Sequence, residues 1–309
     1  MKKLTFILIA IILIVTSCTE KRTVIKLGYA PIADAAQIYV GIERGYFEEQ
    51  GISIQFENLG SGAKILEALG SGSINVGLSS YVPIIYAKSS GIDIKIISGG
   101  AVEDSLHKEH AIIVNKESGI NIPSDLKGKK IAINGRRNID DMILEEYLNK
   151  YGISVEDVKI IEIPFPRMET VLQSGEVDAI CSIEPFVTRA LKNSGVKLLG
   201  YQFVEIYSEI PIACYVSTEK WISNNMDILN KFKVAFDKST DYCVNHPDEI
   251  KTIISKYTNI SENEIKEVSL PTFHKNTDLF HLQALIDKMH NKRLIEKNIN
   301  TEDLIYEYK

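Results

Sequence analysis

Apolar and polar positions along the first two-thirds of the chain switch repeatedly between a period of two and a period near 3.6. Val24-Ile25-Lys26-Leu27-Gly28-Tyr29 and Ile52-Ser53-Ile54-Gln55-Phe56 read as strands, and Ile74 to Leu78 as a third. Between them, Ile38, Tyr39 and Ile42 share one face of a helix expected over 35–44. Asp34 with Gln37 three residues later has the pattern of a capping box, after the break at Pro31, and Gly45 supplies the stop. Ser61-Gly62 opens a second helix that Gly70 to Gly72 end, and Ser79-Ser80 cap a third with Pro83 in its first turn. Strands alternating with helices predict mostly parallel sheets with helices on both faces.

The pattern then repeats about a hundred residues on. Leu69-Gly70-Ser71-Gly72-Ser73-Ile74-Asn75-Val76-Gly77-Leu78-Ser79 is echoed by Leu172-Gln173-Ser174-Gly175-Glu176-Val177-Asp178-Ala179-Ile180-Cys181-Ser182. Each copy runs on into a helix with proline in its opening turn, Pro83 and Pro185. Each then reaches Ser-Gly and a new strand, Ser90-Gly91-Ile92 and Ser194-Gly195-Val196. One α/β unit is therefore expected twice. The second copy opens on the turn-rich Ser124-Asp125-Leu126-Lys127-Gly128 and the strand Ile131-Ala132-Ile133. Asn134-Gly135-Arg136-Arg137 then turns into a helix over 139–150. A strand follows over 158–163, and Pro166 opens the next helix. From about 225 the chain turns helical, with Phe232, Ala235 and Phe236 striping one helix, Pro247 starting another, and Ser261 with Glu264 forming a capping box.

Composition narrows the possible functions. The 309 residues are 45% hydrophobic and 25% charged, ordinary globular values with enough apolar side chains for a sizeable core. The formal net charge of −6, with no run of Lys or Arg, argues against nucleic acid as a partner. At the N-terminus Lys2 and Lys3 precede an apolar run from Leu4 to Val15, shorter than the ~20 residues of a spanning helix, so it reads as an export signal. The run ends in Val15-Thr16-Ser17-Cys18, which resembles a bacterial lipobox; residues 1–17 would be removed and Cys18 acylated. Two or three acyl chains, at ~0.8 kcal/mol per buried CH₂, anchor stably without a span. Residues 18–23 would be the tether. Cys181, Cys214 and Cys243 are odd in number and form no C-x-x-C, which excludes a disulfide framework; Cys181 and Cys214 sit in apolar runs and read as core.

Several motifs together carry a family resemblance. They are Gly28-Tyr29, Arg44-Gly45-Tyr46-Phe47-Glu48-Glu49-Gln50-Gly51, Ser71-Gly72-Ser73-Ile74-Asn75-Val76-Gly77, Asp125-Leu126-Lys127-Gly128-Lys129-Lys130-Ile131, Ser174-Gly175-Glu176-Val177-Asp178-Ala179 and Glu184-Pro185-Phe186. In this order, over roughly 24–200, the set resembles ABC-importer binding proteins for nitrate, sulfonates, taurine and thiamine-pyrimidine precursors. The resemblance implies a two-lobed type II periplasmic-binding fold, α/β in each lobe, with the ligand cleft between lobes. Lobe 1 would take 24–103, lobe 2 104–206, and 207–309 would return to lobe 1, with hinges near 101–111 and 201–213. It further implies a monomer that serves a permease and its ATPase and lies outside the cytoplasm; no cofactor or metal is expected, since no His/Cys cluster is visible.

In such sheets ligands bind beyond the carboxyl ends of the strands, where helix N-termini offer unpaired N–H groups and positive dipole ends. Candidate positions are Pro31, Asp34, Gly62, Ser79, Ser80, Tyr81, Gly100, Asn134, Arg136, Glu184, Phe186 and Tyr207. Converging N–H donors favour a small anion such as a sulfonate or nitrate. Arg136 could clamp it, or Arg137 beside it could point inward instead. Glu184 could hold a ligand amine or simply favour a helix dipole. Tyr81, Phe165, Phe186 and Tyr207 could be aromatic walls or core. A thiamine-pyrimidine-type heterocycle, and a sensing lobe for a membrane receptor, stay open as alternatives. Catalysis and metal binding lack their motifs: the six His are scattered, and neither H-E-x-x-H nor G-x-S-x-G occurs.

Overall fold

The structure, a computed structural model, describes residues 22–308. The expected leader 1–17 and the acylation site Cys18 lie outside the described residues. No helix among the described residues is long and apolar enough to cross a membrane.

In chain order the strands are β1 Thr23–Tyr29, β2 Ile52–Asn58, β3 Val76–Ser79, β4 Ile94–Ser98, β5 Ala101–Asp104, β6 His110–Asn115, β7 Lys130–Ile133, β8 Lys159–Glu162, β9 Ala179–Ile183, β10 Val196–Gly200, β11 Glu209–Pro211, β12 Cys214–Thr218 and β13 Thr272–Phe273. They build two five-stranded sheets, β2-β1-β3-β12-β4 and β8-β7-β9-β6-β10. Position for position the two orders are the same, so the duplicated pattern in the sequence is a duplicated topology.

Each sheet is mixed rather than mostly parallel. β1 pairs parallel with β2 and β3, whereas β12 runs antiparallel to β3 and β4. β7 pairs parallel with β8 and β9, whereas β6 runs antiparallel to β9 and β10. The odd strands are those on which the chain enters one sheet from the other. Their apolar runs, Ala111 to Val114 and Cys214 to Val216, read identically in either direction, because burial on both faces erases the alternation that would mark a strand's neighbours.

Echoed residues do the same structural work in both copies. Gly72 and Gly175 follow the helices Gly62–Ser71 and Phe165–Gln173 with φ of 76° and 72°, a left-handed conformation that favours glycine. The Asn75 carboxamide accepts the Lys26 backbone N–H at 2.8 Å, and the Asp178 carboxylate accepts that of Lys130 at 2.8 Å. Those contacts place β3 beside β1 and β9 beside β7.

The two chain crossings lie side by side. β5 pairs antiparallel with β11 and β13 in a third sheet, and a Cβ on Gly100 would sit 2.3 Å from the Ala213 carbonyl oxygen. The C-terminal helices pack back on the first sheet. Helix Met226–Asn245 buries Leu229, Phe232, Phe236 and Cys243. Phe236 meets Tyr215 of β12 edge-on at 4.8 Å. Truncating such a ring to Ala costs about 3–5 kcal/mol. The expected Ser261–Glu264 capping box forms, with both of its hydrogen bonds. Cys181, Cys214 and Cys243 are free and buried.

Side chains tie the two sheets together on both flanks. On one, Lys288 of helix Leu279–Asn291 and Lys292 just past its end pair with Glu146 at 2.5 Å and Glu145 at 3.1 Å, both on helix Ile139–Lys150. On the other, Lys192 pairs with Glu267 at 3.0 Å, and the Ser269 N–H donates to the Glu184 carboxylate at 3.3 Å.

Candidate functional site

β1, β3, β7 and β9 point their carboxyl ends at the seam between the sheets, and a cavity of about 60 Å³ lies there. That volume admits several waters or a small head group. Ile32, Asp34, Gly60, Ser61, Gly62, Ser79, Ser80, Ile212 and Ala213 line it from the first sheet's side. His110, Asn134, Asn138, Ile139, Asp140, Phe165 and Ile183 line it from the second's.

Four helices begin at this wall: Gly62–Ser71, Tyr81–Ser89, Ile139–Lys150 and Phe165–Gln173. The Asn138 side chain caps the third by accepting the Asp141 N–H at 3.0 Å. The other three have N-caps, Ser61, Ser80 and Pro164, whose side chains make no capping hydrogen bond. The first N–H groups of Gly62–Ser71 and the first two of Tyr81–Ser89, ahead of Pro83, therefore keep their donor capacity; in Phe165–Gln173 Pro166 has no N–H and the Arg167 N–H donates to the Pro164 carbonyl at 2.9 Å. Gly62 keeps the wall open, since a Cβ there would come within 2.7 Å of the Ser79 hydroxyl.

The same wall is rich in buried carboxyls. The capping box expected of Asp34 and Gln37 does not form. Gln37 turns its amide to Thr240 at 2.7 Å, and the Asp34 side chain makes no cap bond, leaving Oδ1 unpartnered. Asp34 is 3% exposed and faces the cavity, and Asp140 across from it is also 3% exposed with Oδ1 unpartnered. Burial pushes each up to about 6, with the neighbouring His110 working the other way. Behind them Glu103 is fully engaged: it accepts the Glu109 and His110 backbone N–H groups at 3.0 and 3.2 Å, and the His110 imidazole at 2.5 Å. His110 stacks on Phe203 at 3.7 Å. Its burial works against a charge, but Glu103, Asp140 and Asp34 outweigh it and raise the imidazole above its usual range. Burial and the carboxyls of Asp34, Glu103 and Glu184 hold the Glu109 carboxyl well above the ordinary range.

Of the twelve ligand-binding positions expected from sequence, Asp34, Gly62, Ser79, Ser80 and Asn134 line the cavity. The other seven lie elsewhere. Arg136 is half exposed and pairs with Asp141 at 2.9 Å, one turn along its own segment, while Arg137 takes φ 55° in the turn. Neither arginine is among the residues that line the cavity. Glu184 is spent on Thr188, whose N–H and hydroxyl donate at 3.0 and 2.7 Å, and on Ser269; burial raises it to about 7. Tyr81 is buried with its hydroxyl on Thr277. Tyr207 donates to Glu146 at 2.9 Å on the flank. Phe186 is core beneath Arg189. Gly100 belongs to the crossing, and Pro31 only sets the turn ahead of Ile32. Phe165 does line the wall, at the first turn of its helix.

Sequence reasoning passed over His110 and Asp140. His110 sits at the start of an apolar run, and such a titratable residue at a strand's mouth was the available signal. Asp140 stands beside Asp141 in a first turn, where acids are ordinary dipole partners; only the fold distinguishes the inward one. Among the described residues no group of three His, Cys, Asp or Glu side chains is arranged to hold a metal ion.

Known proteins share this architecture. A protein of Bacillus subtilis (strain 168) named for binding aliphatic sulfonates is 26% identical over 323 residues, covering 99% of this chain and 95% of the relative. The 4-amino-5-hydroxymethyl-2-methylpyrimidine phosphate synthase of Candida albicans (strain WO-1) is 25% identical over 226 residues, 69% of this chain and 64% of that one. The structure of the alkanesulfonate-binding protein SsuA from Xanthomonas axonopodis pv. citri, bound to MOPS, matches with a TM-score of 0.76 at 17% identity, covering 93% of this chain and 99% of that one. The fold is thus the two-lobed periplasmic-binding fold, and the family model described as NMT1/THI5 like matches residues 32–250: the chain belongs to that family.

Proposed function

We propose that this protein is the solute-binding component of an ABC importer. It works outside the cytoplasm, is held to the membrane through acylated Cys18, and hands its cargo to a permease driven by an ATPase. The cargo is a small anion of the sulfonate, taurine or nitrate class, captured when the two lobes close on it. The observation that carries this reading is the cavity between the sheets at which four helices begin, three of them without a side-chain cap. Unpaired N–H groups and positive dipole ends there favour an anionic head group. The cavity takes a head group rather than a large molecule, in keeping with a relative named for sulfonates and a matching fold holding a sulfonated buffer. The ion pairs on both flanks would form as the lobes meet, and closure favours only a ligand that binds the closed state better than the open one.

A second reading is a thiamine-pyrimidine-type heterocycle. It is favoured by one observation: no Lys or Arg lines the cavity among the described residues.

A thermal-shift panel of alkanesulfonates, nitrate, small carboxylates and pyrimidines on the purified protein tests both. A specific ligand at ~100 times its Kd stabilises by ~2.7 kcal/mol. Stabilisation by pyrimidines alone would replace the anion with the heterocycle, and a panel with no response at all would sink solute capture. Membrane fractionation of Cys18→Ser tests the anchor: the variant should leave the membrane fraction, and full retention would refute acylation at Cys18.

A further inference from the structure

The helix N-termini account for only one end of a ligand. The cavity also holds two carboxyls, each with one oxygen that no hydrogen bond of the fold satisfies. Asp34 and Asp140 are each 3% exposed, each has Oδ1 without a hydrogen-bond partner, and each faces the cavity from an opposite side. Of the other buried acids, Glu103 binds two backbone N–H groups and His110, and Glu184 binds Thr188 and Ser269, whereas Glu109 lies against Asp34 and does not line the cavity. The one base nearby cannot serve both orphans. The His110 Nδ1 is taken by Glu103, and its Nε2 stands 3.8 Å from Asp140, beyond hydrogen-bond reach. A buried acceptor without a donor is costly, and one that lines a cavity is open to a donor brought in by water or by a ligand.

We propose that Asp34 and Asp140 form an amine subsite: the cargo carries a protonated or N–H-bearing nitrogen that donates to these two carboxyls, while its other, polar end meets the N-termini of helices Gly62–Ser71 and Tyr81–Ser89. This rests on the solute-capture reading and narrows it to ligands with donor and acceptor ends on one small frame. Aminoalkyl acids and amino-substituted heterocycles both meet that description, and a bare oxyanion does not. Such a ligand also explains why the cavity lacks Lys and Arg among its described lining residues: a guanidinium would already satisfy the carboxyls and leave nothing for the cargo to supply.

Matched pairs that differ only by the amino group test the idea on the full-length protein: ethanesulfonate against 2-aminoethanesulfonate, propionate against 3-aminopropionate, and 2-methylpyrimidine against 4-amino-2-methylpyrimidine. In at least one pair the amino compound should raise the melting temperature while its partner does not, and the responding pair tells the aliphatic amine from the heterocycle. Calorimetric affinity for that compound should fall at least ~10-fold in Asp34→Asn and in Asp140→Asn, the loss of about one charge-assisted hydrogen bond. Asn keeps the shape, and the pairwise comparison on the parent protein needs no variant. Equal responses within every binding pair, or affinity unchanged in both variants, would overturn the subsite and leave solute capture standing. Silence from all three pairs, in a protein that also ignores nitrate and the other anions, would take down solute capture and the subsite with it.

Discussion

A residue kept for its ligand rather than for the fold should make the empty protein less stable, and Asp34 allows that to be measured. Its carboxyl holds its proton up to about 6 in the fold, against 3.8 for an ordinary aspartate, first because of burial and then through Glu103, with His110 opposing. Between those two values the folded state binds more protons than the unfolded chain, so stability falls as pH rises through that window. The loss is complete above about 6 and absent below about 3.8. At ~1.4 kcal/mol for each tenfold change in proton affinity, the climb from 3.8 to about 6 costs ~3 kcal/mol. Asn at this position has the same outline and no charge to bury. Asp34→Asn should therefore stabilise the ligand-free protein by ~2–3 kcal/mol at pH 8, roughly 5 °C for a chain of this size. Differential scanning calorimetry without ligand, at pH 8 and pH 4, reads the effect directly. The variant should melt higher at pH 8, and the gap should close at pH 4, where the parent's carboxyl is largely protonated too. A variant that melts lower at pH 8, or by the same margin at both pH values, would refute the reasoning. Stability gained together with binding lost is the usual exchange at a functional position.

Two further outcomes follow from the geometry. Gly62→Val places a branched side chain where a single Cβ already meets the Ser79 hydroxyl at 2.7 Å and Pro83 at 3.0 Å; it should cost about 1–3 kcal/mol by overpacking and abolish ligand-induced stabilisation, and retained ligand response would mean that the cavity is not the binding site. Trp221 lines a separate groove with Leu69, Gly72, Asn75 and Asp93 that shares no residue with the cleft cavity, so its fluorescence should stay unchanged when ligand binds, and a ligand-dependent emission shift would show that the lobes move differently from a closure about the crossings.

Much of the architecture was legible before any coordinates, and for local reasons. The paired motifs around Gly72 and Gly175 are legible because a left-handed stop, a side chain that accepts a neighbour's N–H and an apolar strand must follow one another in a fixed order. Helix Ile139–Lys150 and the Ser261–Glu264 cap were readable for the same reason: their signals lie within four residues of one another. The site was readable only in part. Ser79, Ser80 and Gly62 were found because small residues at helix starts mark places where a ligand meets backbone. Arg136 and Glu184 were chosen for their chemistry and lie elsewhere, since Asp141 and Thr188 lie within five residues and claim them first.

By itself, then, the sequence determined that one α/β unit occurs twice and where its helices start and stop. Only the tertiary structure decided which strands run antiparallel, which acids face the seam, and that Asp34, His110 and Asp140 meet there from segments up to about a hundred residues apart. The physical reason is range. Helix stops, caps and turns are settled by neighbours a few residues away, whereas the burial that leaves a carboxyl without a partner is a property of everything packed around it.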